Sequence, residues 1–318
     1  MTATRAVLLV GALGLAPAGA CHGGEASHAL GGHDHDAAGT RGHGHVAQPA
    51  PFGFNLTDHW LDPWVHWHRS PLGAPLLHHF GFEPAFLGKE LFVTYGWGEF
   101  DEGEEHEVEI ELEWAFTRRL GVVLEVPYAW DRPVGEAAVD GLGDLAVVPR
   151  AVLAETERFV ASANLEIGIP TGSSRVGAGE QWSLAPFLAT WFDLGDWWAL
   201  SSATGLEFGL DSNETEFFCS LGVSKAMRIH DARRFGAEPP HDHGHGLPAG
   251  LLAFIGEVYL EGVVDGEADE ENVFALEALV GISYTVGDLF DVRAGYTFPL
   301  NGNSELDRGV RAGVIHHF

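Results

Sequence analysis

The sequence predicts an all-β chain: a transmembrane antiparallel up-and-down β-barrel of about twelve strands, preceded by a disordered His-rich N-terminal leader. Three observations predict it. Apolar and polar residues alternate almost continuously from residue 89 onward, the connections between strands are short and long by turns, and the chain opens with the order of a secretory signal. Composition agrees, since 42 Gly, 20 Phe and 10 Trp among 318 residues suit strands and turns better than helices. The formal charge of -29, from 46 acidic and 17 basic residues, argues against a nucleic-acid partner, because phosphate binding needs clustered Lys and Arg. Only 20% of residues are charged and 46% are hydrophobic, so the chain is not an acidic disordered tail.

The elements follow in chain order. Residues 1–20 place Arg5 before an apolar run from Ala6 to Leu15 and end on Ala18-Gly19-Ala20, the order of a signal peptide and too short to span a bilayer. Cys21 stands where a lipoprotein would be acylated, although Ala18 replaces the usual Leu; Cys21 and Cys219 give neither a disulfide framework nor a CxxC metal site. Residues 21–51 form the flexible leader, with His33, His35, His43 and His45 in H-x-H pairs among Gly, Ala and Asp. Residues 52–86 interleave Trp60, Leu61, Trp64 and Trp67 with Asp58, His59, His66, His68, His78 and His79, and read as a short amphipathic element that docks on another part of the protein.

The barrel is expected over 87–318. In His106–Phe116, Val108, Ile110, Leu112, Trp114 and Phe116 share one face and Glu107, Glu109, Glu111 and Glu113 the other, a period of two and therefore a strand. Phe159–Ile169, Phe274–Tyr284 and Phe290–Leu300 repeat the pattern. Strands are expected near 89–100, 106–116, 121–129, 143–154, 159–169, 181–192, 197–210, 216–229, 249–260, 274–285, 290–300 and 308–318. The links at 117–120, 155–158, 193–196 and 286–289 are short. Those at 101–105, 130–142, 170–180, 261–273 and 301–307 are expected to be longer, with 211–215 an exception. Short turns on one side and long loops on the other are the signature of periplasmic turns and extracellular loops. A secreted β-sandwich would also alternate, but it would bury its apolar face against a second sheet.

Phe318 closes the last strand on the face of Val310, Ala312 and Val314, with His316 where an apolar residue would be usual; a C-terminal aromatic of this kind resembles the signal that directs outer-membrane barrels to insertion. With both termini periplasmic, the insertion at 230–248, carrying His241, His243 and His245, falls on the same side as the leader. Neutral imidazoles favour Zn, Cu, Ni or Co, with Asp34, Asp36 and Asp242 as further ligands, although the spacing is that of a loose chelator rather than of a fixed site. No obligatory cofactor is expected.

Alternation aims Glu107, Glu109, Glu111, Glu113, Glu125, Glu166, Glu207, Glu257 and Glu277 inward, with Arg150, Arg293 and Arg311 as counter-charges. Such a lumen is either a cation-favouring passage or an internal Glu–Arg network that fills a narrow barrel. No G-x-S-x-G elbow, H-E-x-x-H helix or Walker loop occurs, and no catalytic residues are assigned.

Gly141-Leu-Gly-Asp144, Pro149-Arg150 and Leu165-Glu-Ile-Gly-Ile-Pro-Thr-Gly172, with Glu113-Trp-Ala-Phe-Thr-Arg-Arg-Leu-Gly121 and Val126-Pro-Tyr128, resemble the outer-membrane family labelled "Putative MetA-pathway of phenol degradation". The resemblance covers roughly residues 85–318 and implies an outer-membrane barrel that moves small, sometimes aromatic, compounds. The His-rich leader and insertion depart from it and suit work near metal efflux or uptake. The expected function is thus an outer-membrane channel for small solutes or cations, with periplasmic His-rich segments that bind transition metals. A non-conducting barrel that buffers metal, or a structural barrel, is the alternative. Expected partners are outer-membrane lipid and lipopolysaccharide, a small-molecule or metal-ion solute, and a periplasmic metal-handling protein.

Overall fold

The computed structural model describes residues 50–65, 68–212, 214–229, 250–266, 273–287 and 289–318. The signal segment and His33, His35, His43, His45, His241, His243 and His245 lie outside the described residues.

Among the described residues, thirteen strands make one antiparallel sheet: β1 Lys89–Phe100, β2 Gly103–Ala115, β3 Leu120–Pro133, β4 Val139–Leu142, β5 Leu145–Glu155, β6 Phe159–Ile169, β7 Ser183–Gly195, β8 Trp198–Gly209, β9 Thr215–Arg228, β10 Leu251–Asp265, β11 Phe274–Val286, β12 Phe290–Pro299 and β13 Leu306–His317. Sequential neighbours pair, β1 pairs β13, and β2 pairs β3, so the sheet closes on itself. β4 and β5 lie end to end along β3, against Tyr128–Asp131 and Leu120–Glu125, and count as one interrupted stave. The barrel therefore has 12 staves.

Period-two alternation sets which side chains face in. Lateral partners in an antiparallel sheet share a face, so the register carries the inward set around the barrel. Glu113, Glu111, Glu109 and Glu107 stand beside Glu90, Phe92, Thr94 and Gly96 of β1, which stand in turn beside His317, Ile315, Gly313 and Arg311 of β13. The opposite face carries exposed Val93, Ile110, Leu124, Leu188, Val223, Val258, Ile282 and Val314, an apolar surface that suits lipid and not water. Exposed aromatics bracket it, with Trp114, Phe192, Trp198, Phe290 and Phe318 near one end and Tyr128, Phe208 and Tyr296 toward the other. His316 belongs to the first belt, its ring 4.8 Å from that of Phe290 and 4.9 Å from that of Phe318. A closed barrel with this outer surface is a bacterial outer-membrane protein.

The first and last strands meet at one end, where Phe318 N donates to Lys89 O at 3.0 Å. Tight connections collect there, as between β2 and β3 and between β7 and β8, and mark it as the periplasmic end. The β7–β8 turn holds Asp196 and Trp197 at φ 55° and 60°, the backbone of a type I′ hairpin. Trp197 packs against the cluster of Leu77, Ala226, Leu251 and Ala253.

Two expectations are corrected at the extracellular end. The 101–105 link is not a long loop: Phe100 pairs directly with Gly103, leaving Asp101 and Glu102 as a two-residue turn. Gly103 sits at φ 149°, and a Cβ there would lie 2.4 Å from Arg132 O. Nor is 130–142 all loop, since β3 runs to Pro133 and Val139–Leu142 pairs back onto it. The Asp/Glu/Gly content that suggested open loops instead extends the barrel wall. Gly103→Ala is accordingly expected to destabilise the barrel by about 1–3 kcal/mol, from strain and the clash with Arg132. A fall in the urea midpoint of the refolded barrel measures it, and an unchanged midpoint would refute the strain argument.

Candidate functional site in the barrel lumen

The described residues before β1 have almost no regular secondary structure, and they fill the periplasmic half of the lumen. Residues 50–65 first cross the rim. Gly53 and Glu155 exchange backbone hydrogen bonds at 2.7 and 3.0 Å, and Arg118 N donates to Asp62 O at 2.9 Å. Arg118 binds Glu155 through two nitrogens, at 3.2 and 2.9 Å, and donates to Ala50 O. Arg119 stacks on Phe52 with its guanidinium carbon 3.6 Å from the ring centroid.

The chain then turns inward. Ser70 Oγ donates to Asp193 at 2.7 Å, and Ala74, Leu76, Phe80, Phe82, Ala85 and Phe86 are buried in one core with Val123, Val148, Phe187, Trp191, Ile255 and Leu279 of the wall. This is the element expected over 52–86, and its docking surface is the inside of its own barrel. A cavity of about 60 Å³ remains between it and β5–β7, lined among others by Trp64, Leu76, Arg118, Glu155 and Trp191.

Three arginines hold this plug. Arg150 is the hub. It ion-pairs with Glu113 at 2.6 Å and with Glu83 at 2.7 Å, and it donates to the carbonyls of Pro84 and Phe86. Arg293 donates to His79 O at 2.8 Å and Arg311 to Phe80 O at 2.9 Å. The expectation that all three serve as counter-charges to the inward glutamates is thus incomplete. Irregular backbone buried in a lumen leaves carbonyls without ladder partners, and these arginines satisfy them.

One carboxylate does the reverse for backbone amides. Glu257 accepts from Phe80 N at 2.8 Å, from Gly81 N at 3.2 Å and from the Tyr259 hydroxyl, with His79 Nδ1 3.3 Å away. The tip at His79–Gly81 fits only because the wall is bare beneath it. A Cβ on Gly222 would approach the His79 ring to 2.3 Å, and one on Gly281 would approach the Phe80 ring to 2.6 Å.

Beyond the tip the inner wall is acidic. Glu107, Glu109, Glu125, Glu166, Glu207 and Glu277 face the lumen, joined by Glu216 and Glu261, while Glu111 stands lower, beside Phe92. Glu111 is directly opposite Glu125, and Glu207 is directly opposite Glu216. Like charges so placed repel, and a cation between them relieves the repulsion. Glu277 receives a hydrogen bond of 2.6 Å from Ser304. The site is therefore an acidic extracellular vestibule floored by an internal plug. Sequence alternation reached the vestibule; it could not reach the plug. The signals available for the plug were the bare glycines at 222 and 281 and the scarce arginines on otherwise acidic strands.

The conspicuous loop motifs have a structural use. The Asp144 carboxylate accepts from Gly172 N at 2.8 Å and Gly179 N at 2.9 Å, tying the 170–180 loop to the break between β4 and β5. Arg150, six residues on, is the plug hub.

The family model described as "Putative MetA-pathway of phenol degradation" matches residues 98–305, about two thirds of the chain. The fold is similar to that of an outer-membrane channel from Pseudomonas putida F1, at 12% identity and a TM-score of 0.54, covering 76% of this chain and 100% of that one. The KdgM porin aligns over 72% of this chain and 99% of its own, at 12% identity and a TM-score of 0.44. The NanC porin aligns over the same shares at 9% identity and a TM-score of 0.46. No curated protein matches the sequence.

Proposed function

The chain belongs to the family described as "Putative MetA-pathway of phenol degradation", and we propose that its barrel is a non-catalytic outer-membrane channel for small solutes, favouring cations, whose passage opens when the internal plug shifts. The observation that carries this reading is the vestibule, in which Glu207 stands directly opposite Glu216 and shares the inner wall with Glu107, Glu109, Glu125 and Glu166, beyond a plug built from irregular chain. A wall of carboxylates lowers the electrostatic barrier for cations and raises it for anions. Irregular chain held by side-chain hydrogen bonds shifts more readily than a sheet, because it is not part of the cooperative β ladder.

The H-x-H histidines at His33, His35, His43, His45, His241, His243 and His245 would lie on the periplasmic side and bind Zn, Cu, Ni or Co loosely, concentrating metal at the plugged mouth. A periplasmic metal-handling protein is the partner this arrangement suits, with outer-membrane lipid and lipopolysaccharide around the barrel. Tight seating of the plug favours a second reading, a closed barrel that buffers metal at its periplasmic face.

Planar-bilayer recording of the full chain across a salt gradient separates the two. We expect a current with a cation-selective reversal potential. Glu109→Gln with Glu125→Gln should move that potential toward zero, because both carboxylates line the vestibule. Folded protein that stays silent even after the plug is loosened would overturn the channel reading and leave the buffer.

A further inference from the structure

A second constellation, which the channel reading does not use, lies where the plug meets the barrel seam. His68 and His78 of the plug converge on Glu90 of β1, and Glu90 is the lateral partner of His317 on β13. All four are buried, His68 6% exposed, His78 8%, Glu90 2% and His317 2%. We propose that His68, His317 and Glu90 bind one borderline divalent transition-metal ion of the Zn(II) type, which fastens the plug to the first and last strands.

The geometry supports a metal in three ways. A tetrahedral ion with bonds of about 2.1 Å holds its ligand atoms about 3.4 Å apart. Glu90 Oε1 lies 2.9 Å from His317 Nδ1 and 3.7 Å from His68 Nδ1, distances that bracket that value. The ligand atoms of all three residues fall within 4.8 Å of one another, so small side-chain shifts complete the site.

The second support is the setting of His317. Its other nitrogen, Nε2, faces Asp291 Oδ2 at 3.2 Å, which orients the ring as a carboxylate behind a metal-bound imidazole does. The third is unfinished hydrogen bonding. Glu90 Oε2 is engaged by His78 Nε2 at 2.5 Å, which leaves Oε1 to face His68 and His317, and Asp291 Oδ1 is buried with no hydrogen-bond partner. Buried polar atoms are normally satisfied, and an ion on the His317 imidazole would strengthen the positive charge that the Asp291 carboxylate faces.

Neighbouring charges leave the site to the metal. Glu113, which also approaches His78 and Glu90, is committed to Arg150 at 2.6 Å, whereas Glu90 faces imidazoles. Two nitrogens and a carboxylate oxygen form a borderline donor set that suits Zn(II), Co(II) or Ni(II) better than Mg(II) or Ca(II). This inference rests on the plug's packing and stands whether or not the barrel conducts.

The test uses the full chain with the histidines of residues 22–45 and 230–245 changed to asparagine, so that the leader and insertion contribute no imidazole. Co(II) is titrated into the folded, metal-stripped barrel and followed by its visible absorption; Zn(II) content is then measured after gel filtration. One metal per folded chain is expected, with the intense bands of low-coordinate Co(II). His68→Asn and His317→Asn should each weaken binding at least tenfold, and Asp291→Asn about 10–100-fold through the orientation of His317. Chelation should hasten proteolytic cleavage within residues 68–88 several-fold. Should His317→Asn fail to fold, His68→Asn, which lies outside the sheet, carries the test. A parent chain that retains no metal would overturn the proposal, as would variants that bind like the parent, which would leave the cluster a hydrogen-bonded network only.

Discussion

Replacing Arg150 with methionine is expected to cost the barrel about 3–5 kcal/mol and to loosen its plug, the largest stability effect foreseen for one substitution in this protein. Methionine keeps much of the volume, so the loss is not mainly one of packing. It strands Glu83 and Glu113, whose carboxylates sit 2.7 and 2.6 Å from the guanidinium, and it leaves the carbonyls of Pro84 and Phe86 without their donor. Removing one partner of a buried ion pair is costly because the remaining charge stays out of water. Arg150→Lys should fall between the two, since an ammonium keeps the charge but cannot serve two carboxylates and two carbonyls with one planar fork. Urea unfolding of the refolded barrel, followed by the far-ultraviolet β signal, reads the first effect. Protease cleavage between residues 50 and 88 reads the second. A methionine variant with parental midpoint and cleavage rate would mean that the plug is held elsewhere.

Glu257→Ala should have the largest effect on permeation. It removes the acceptor for Phe80 N, Gly81 N and the Tyr259 hydroxyl while leaving Arg150 and its partners in place. Buried donors orphaned in this way cost about 1–3 kcal/mol apiece, enough to favour withdrawal of the tip into water. Conductance should rise several-fold with the barrel still folded. Gly222→Leu should act in the same direction by a different route, since its side chain would occupy the space of the His79 ring. The two are read together: single-channel recordings give the current, and a Phe80→Cys reporter labelled by a membrane-impermeant maleimide from the extracellular side gives the tip's exposure. Unchanged current from both variants, with the reporter newly labelled, would show that the tip moves without gating the passage.

How far the sequence could be read follows from the forces involved. Strands announce themselves because Glu107, Glu109, Glu111 and Glu113 must avoid lipid while Val108, Ile110 and Leu112 seek it, a local rule with a period of two. The same rule carried the inward placement of Arg293 and Glu277. It failed at Asp101-Glu102-Gly103, where acidic residues form a turn of two because one glycine can adopt φ 149°. It was silent for residues 68–88, because no local period describes a chain whose backbone is satisfied by Arg150, Arg293, Arg311 and Glu257 from far along the sequence. Tryptophans and histidines around residue 60 signalled docking, but the surface they would meet exists only once the barrel has closed.

The pairing of Glu90 with His317 also bears on the order of assembly. These residues lie 227 positions apart, and their contact closes the seam between the first strand to be synthesised and the last. Contacts of such sequence separation form late, because so much chain must be brought together first. The plug is joined directly to the first strand, and its His68 and His78 meet the same carboxylate. A barrel that zips shut with its plug outside would set Glu90 beside His317 but without those two imidazoles. Closure and plug seating thus share one carboxylate: the closed seam keeps the Glu90–His317 contact by itself, and seating the plug adds the imidazoles of His68 and His78 to it, so the plug strengthens the joint that closes the barrel.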